Sequence, residues 1–138
     1  MDNLPRVKGD AHVNWGNGHM TWVDATFQAI LSAKVLLQMA ALLGKEAEVQ
    51  DLREEIERLN EYSNKYLWNV RLNFYCDRFA SGELSTVKHI GGYWALLAGS
   101  VPEDQIPALT AHLENAADFN RAHRVPALSA DDPHYSAT

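Results

Sequence analysis

The amino-acid sequence predicts an all-α fold made of two helical hairpins in which buried and surface helices alternate. Three observations lead there. Residues 22–43 are apolar on nearly every side of a helix, whereas residues 45–68 carry a single apolar stripe. The contrast returns between residues 87–98 and residues 102–115. Short joints bearing Gly, Ser or Pro separate the members of each pair, as antiparallel helix pairs require. Inner helices around a central axis, with outer helices packed behind them, produce such an alternation. That is the logic of an (α/α) toroid; a plain four-helix bundle would show four similar stripes.

Residues 1–20 read as loop, because Pro5, Gly9, Gly16, Gly18 and several Asn and Asp break any period. The first helix then runs from Trp22 to Leu43, with Asp24 available to cap its start and Gly44 to stop it. Val23, Phe27, Ile30, Leu31, Val35, Leu36, Met39 and Leu42 surround it, so neighbours should bury it all round. The second helix, Lys45 to Trp68, aligns Val49, Leu52, Ile56, Leu59 and Tyr66 on one face and charges on the rest. Its stripe covers about two heptads, too few for a coiled coil. Residues 73–84 mix aromatic and turn residues, which suits a small β-hairpin turning at Ser81–Gly82. A third helix is expected from Val87 to Ala98. A fourth follows Pro102, with Ser100 as its cap and Pro107 bending its first turn, and an irregular tail ends the chain.

The totals exclude several function classes. The chain has 138 residues, one domain at most, and is 46% hydrophobic, enough to bury a core. A net charge of -6 opposes nucleic acid and anionic membrane surfaces, which reward clustered Lys and Arg. Cys76 is the single cysteine, so no internal disulfide forms, and it suits a small buried group better than a nucleophile. The first residues lack the apolar core of a signal peptide. Ser32, Lys34 and Gln38 interrupt the longest apolar stretch, Ala29 to Leu43. These features favour a cytoplasmic protein away from membranes. His12, His19, His89, His112, His123 and His134 show no zinc spacing, and neither a phosphate loop nor a dinucleotide fingerprint is present. No metal and no cofactor are expected.

Met1-Asp2-Asn3-Leu4-Pro5-Arg6 resembles the Gly-Met-Asp-Asn-Ser-Pro-Arg motif of glycoside hydrolase family 63 and its mannosylglycerate hydrolase relatives, which are related to trehalase. Trp22-Val23-Asp24, Leu67-Trp68 through Arg78, Tyr93 through Gly99 and Val125 through Pro133 are similar, in order, to later segments of that family. Leu4 stands where the family has Ser. The resemblance implies a segment of an (α/α)6 toroid, the six-hairpin glycosidase fold, here as one partial barrel spanning residues 1–138. It implies hydrolysis of an α-glycosidic bond, in mannosylglycerate, glucosylglycerate or an α-glucoside, with inversion.

By the same resemblance Asp2 is the general acid. Inverting hydrolysis needs a second carboxyl about 6.5–9.5 Å away to activate water. The family's general base is a Glu far downstream, and no Glu here matches its context. The isolated chain is therefore expected to be inactive. Asp2 beside the Met1 amino group is also poorly placed for the raised pKa an acid needs, and reads equally as a frayed terminus. Asn3 belongs to the same motif and goes with the substrate set. Arg6 suits a bidentate grip on a carboxylate, or a structural salt bridge. Trp15 and Trp22 suit stacking on a sugar or packing in the core. Asp24 is a cap or a pocket acid, and Ser129 lines a pocket mouth or makes turn hydrogen bonds. The expected partners are a carbohydrate and either further copies of the chain or the rest of the barrel. The alternative is a non-catalytic helical module that binds a sugar or a partner chain.

Overall fold

A computed structural model describes residues 20–123 and 125–136. Asp2, Asn3, Arg6 and Trp15 lie outside the described residues. In chain order the elements are β1 (Met20–Thr21), α1 (Val23–Leu43), a 3-10 turn (Glu46–Val49), α2 (Asp51–Tyr66), β2 (Trp68–Asn69), β3 (Phe74–Tyr75), β4 (Arg78–Phe79), a second 3-10 turn (Ile90–Tyr93), α3 (Trp94–Leu97) and α4 (Ile106–Glu114). The described part is helical, with four α-helices and two small antiparallel strand pairs.

α1 is rich in Ala, Leu, Gln, Met and Lys, all good helix formers. Gly44 ends it with φ 65°, and the Lys45 N–H reaches back to the Ala40 carbonyl at 2.8 Å. This left-handed closure needs glycine's freedom. The start differs from the expected one. Trp22 is the N-cap and contributes no side-chain bond, while Asp24 sits inside the first turn and accepts from the Ala25 N–H at 2.9 Å.

The burial of α1 also departs from expectation. Val23, Phe27, Ile30, Ala33 and Ala40 face the core, but Val35, Leu36, Met39, Leu42 and Leu43 are 43–87% exposed. Within the described chain, α2 and the segment around α3 pack on one side of α1 only. The helix is thus apolar all round yet covered on one face. By length and composition alone it is apolar enough to cross a membrane. α2 is more solvated, with Ile56 and Ser63 buried, and it begins after a 3-10 turn instead of continuously from Lys45. The buried-versus-surface contrast therefore holds for the first half of α1 and fails for its second half.

The connection after α2 forms a hairpin that the sequence pattern did not reveal. Trp68 pairs with Tyr75 and Asn69 with Phe74. Asn69 Oδ1 accepts from the N–H groups of Arg71 (3.1 Å) and Leu72 (3.3 Å), and Asn73 takes φ 51° to complete the turn. Asn is one of the few residues that adopt such a φ readily. The turn expected at Ser81–Gly82 is present: Arg78 bridges Leu84, and Gly82 has φ 89°. β4 also pairs with β1, which ties the entry of α1 to this hairpin.

Two helical bounds are corrected. The third helical segment begins at Ile90, not Val87, as a 3-10 turn that becomes α-helical at Trp94. His89 is extended (φ -131°, ψ 159°) and bridges Leu128, so residues before Ile90 belong to a strand-like contact. The fourth helix begins at Ile106, and Pro107 sits in its first turn, where no N–H is needed. Ser100 does not cap it; its hydroxyl is buried without a partner among the described residues.

The core is aromatic. Tyr75 lies edge-on to Phe27 (5.0 Å between ring centres) and to Trp68 (4.8 Å). Phe74 stacks on Phe119 (5.8 Å) and meets Tyr93 edge-on (5.2 Å). Such pairs add specific geometry to the apolar area they bury. The Tyr75 hydroxyl finds Asn64 Oδ1 at 2.5 Å; burial, and then the nearby Asp104 charge, push the phenol well above its usual range.

Candidate functional site

Polar side chains gather at the N-terminal end of α1, brought there by three separate stretches of chain. Trp22 has no oxygen to cap the helix, and Asp77, which follows β3, does so from across the chain. Its Oδ1 accepts from the Val23 N–H at 2.8 Å. A carboxylate is favoured there because the helix dipole is positive at that end. The other oxygen, Oδ2, lies 3.3 Å from His89 Nε2. His89 Nδ1 accepts from the Gly91 N–H at 3.1 Å, so the ring proton resides on Nε2 and is donated to Asp77. Gly91 leaves the space for this packing. A Cβ there would fall 2.5 Å from His89 Cε1 and 2.9 Å from the Asp24 Cβ. Asp24, Asp77 and His89 are at most 2% exposed, so the group is closed to solvent.

A second group adjoins it through the chain at Lys88. The Lys88 ammonium pairs with Asp118 and lies 2.7 Å from Asp131. Asp118 also accepts from Ser129 Oγ (3.2 Å), His112 Nδ1 (2.8 Å) and Asn115 Nδ2 (2.8 Å). Burial opposes the charge on Asp118, but the Lys88 and His112 hydrogen bonds outweigh it and bring the carboxyl down to about 2. Burial likewise works against the Lys88 charge, and its two carboxylate partners win, so its pKa rises. Backbone bonds join the pieces: Ser129 N to Lys88 O (2.9 Å), Ala130 N to Asp118 O (2.9 Å) and Ile90 N to Ala127 O (2.9 Å). The irregular segment 127–132 is thereby pinned to the start of the third helical segment.

Beside these groups lies an apolar hollow of about 370 Å³, lined by Tyr93, Trp94, Leu97, Leu113 and Val125 among others. Its walls carry almost no polar surface, which suits apolar side chains and not a sugar, whose hydroxyls need partners. Cys76 is fully buried; burial and then the Asp77 charge push its thiol up to about 12. It is a packing residue, as its lone occurrence suggested. No cluster of potential metal ligands occurs among the described residues.

Of the residues singled out from sequence, three are described. Trp22 leads into α1, and its carbonyl accepts from the Thr26 N–H (3.0 Å) and hydroxyl (2.7 Å). Asp24 sits in the closed Asp77–His89 group, its Cβ next to Gly91. Ser129 is fully buried with its hydroxyl on Asp118. Asp24 and Ser129 thus fall in adjoining polar groups. Sequence reasoning missed Asp77, Lys88, His89, His112 and Asp118. The available signal was weak: charged and imidazole side chains at Asp77, Lys88 and His89 interrupt apolar surroundings, as buried paired groups do.

Chemically, the two groups are networks of satisfied acids and bases. They orient backbone and loop: the Lys88 and Asp118 charges oppose one another, and Asp77 accepts from the Val23 N–H and from His89. An uncharacterized protein of Borreliella burgdorferi is 21% identical to the chain over 114 residues, covering 83% of this chain and 24% of that protein. The chain therefore spans about a quarter of the length of that relative. The family model that matches, the mannosylglycerate hydrolase MGH1-like glycoside hydrolase domain, takes in residues 2–138. With the Met-Asp-Asn motif and the later segments in order, that match over nearly the whole sequence means that the chain belongs to the MGH1-like glycoside hydrolase family.

Proposed function

We propose that the chain is the segment of an (α/α)6 glycosidase that carries the general acid, Asp2, for inverting hydrolysis of an α-glycoside such as mannosylglycerate. The observation that carries this reading is the family match across residues 2–138, which takes in Asp2 and Asn3 of the Met-Asp-Asn motif. Asp2 would protonate the leaving oxygen, and a carboxylate supplied by other parts of the barrel would activate water on the opposite face of the sugar. Asn3, Arg6 and Trp15 accompany Asp2 in the substrate set, Arg6 gripping the glycerate carboxylate through its planar fork. The chemistry needs no metal and no cofactor.

Two features of the fold support a place inside a larger assembly. The second half of α1 exposes five large apolar side chains, and the hollow beside α3 is apolar. Apolar surface left in water costs about 25 cal/mol per Å², and contiguous patches of a few hundred Å² tend to be covered. Further helices of the barrel, or copies of the chain, would cover them. α1 is a core helix in this reading, not a membrane span, because Asp24 is buried against Gly91 and Lys34 Nζ donates to the Ala98 carbonyl at 2.5 Å.

The test has two arms. The chain alone should show no turnover of aryl α-glycosides or mannosylglycerate, and light scattering should report an assembly. In a protein that joins this segment to the remainder of a barrel, Asp2→Asn should lower kcat by about 10²–10⁴ and leave KM little changed. Full kcat in that variant overturns the assignment. A strictly monomeric chain removes the association argument. The closed state of the described polar groups favours a second reading, a non-catalytic helical module. Saturable sugar binding by the joined protein, without turnover, would select it.

A further inference from the structure

One titratable side chain has partners that its neutral form cannot satisfy. His112, in the last turn of α4, faces an acceptor at each ring nitrogen. Asp118 Oδ2 lies 2.8 Å from Nδ1, and the Leu72 carbonyl oxygen lies 2.9 Å from Nε2. A neutral imidazole has one donor and one acceptor, so it would meet one of these oxygens with a lone pair. The imidazolium donates to both. We infer that His112 is a protonated strut joining the β2–β3 turn to the Asp118 junction, and that loss of one ring proton on raising the pH releases the join to the turn.

The surroundings decide which side lets go. From the loop after α4, the Asp118 carboxylate faces the ring and Asn115 shares that carboxylate. Lys88, from the segment before the second 3-10 turn, stands behind Asp118 and pairs with it and with Asp131. From β3 the uncharged Phe74 ring lies edge-on at 5.4 Å, and from the β2–β3 turn comes the Leu72 carbonyl. Asp118 is held by Lys88, Ser129 and Asn115, so it keeps the Nδ1 proton when one is lost. The contact that fails is Nε2 with Leu72. The mobile partner is then the turn that Asn69 and the left-handed Asn73 shape, and Phe74, stacked on Phe119, passes the change to the aromatic core.

The experiment is a nitrogen-15 NMR titration of the full chain from pH 5.5 to 8.5, reading the His112 ring and the amides of residues 70–74. At pH 5.5 both ring nitrogens should carry protons. On raising the pH, the Nε2 proton should be lost, and the amides of Leu72, Asn73 and Phe74 should shift with the same midpoint. His112→Gln, a neutral donor, should abolish the amide titration. A singly protonated His112 ring at pH 5.5 overturns the inference, and so do amide shifts that persist in His112→Gln. Should that variant fail to fold, the ring titration of the unaltered chain decides alone. None of these readouts depends on glycosidase activity, so this inference and the proposed function fail separately.

Discussion

Replacing Lys88 by Met tests whether the buried ion pair organises the polar groups. Lys88 and Asp118 are 7% and 3% exposed, and they bond directly. Methionine keeps the length of the stem and removes the charge. Asp118 would keep Ser129, His112 and Asn115 as donors but lose its nearest cation. Breaking a buried pair by removing one partner costs about 3–5 kcal/mol. A second route to the magnitude starts from the carboxyl of Asp118, which lies at about 2 against an ordinary 3.8. At about 1.4 kcal/mol per pKa unit, that shift is worth roughly 2–3 kcal/mol, shared with His112. The first figure is the larger because it also counts the charge left unpaired, and the three remaining donors put the expected loss at its lower end, about 3 kcal/mol. Asp131 adds little, because its side chain is 46% exposed. The assay is urea unfolding at pH 7, followed by circular dichroism, with ΔG taken from the midpoint at unchanged slope. The double variant Lys88→Met with Asp118→Leu should be less destabilised than the sum of the two single variants, since neither member of the buried pair is left to face the loss of the other. A loss below about 1 kcal/mol for Lys88→Met, or strict additivity of the pair, would refute the reasoning.

Three other outcomes follow from the same geometry. The folded-state carboxyl of Asp118 is depressed, so its contribution is present above about pH 4 and is lost as pH falls toward about 2; acid unfolding monitored by fluorescence should shift to higher pH in Asp118→Asn, with a shallower slope. Gly91→Ala places a methyl 2.5 Å from His89 Cε1 and should cost about 1–3 kcal/mol in thermal or urea unfolding, an overpacking penalty. Cys76, buried and with its thiol at about 12, should resist a thiol reagent at pH 8 in the folded protein and react at once in denaturant; fast labelling of native protein would contradict its burial.

The sequence by itself determined the helical class, the stop at Gly44, the solvated face of α2 and the turn at Gly82. Each rests on a local signal: periodicity of 3.6 residues, or a glycine, which takes a positive φ without steric cost. The family was legible too, because ordered motifs survive as strings of residues. The tertiary structure decided the rest. An apolar surface such as that of α1 states that a helix must be covered, but not by what, and within the described chain half of it is uncovered. The helix cap came from Asp77, 54 positions away from Val23, instead of from the adjacent Asp24. The β2–β3 hairpin escaped the pattern because its paired residues, Trp68, Asn69, Phe74 and Tyr75, are all buried and so do not alternate. The Asp118 and Asp77 groups were illegible for the same reason: a buried charge is tolerable only beside its partner, and Lys88, His112 and Asp118 become partners only when α4, the segment 127–132 and the start of the third helical segment fold against one another.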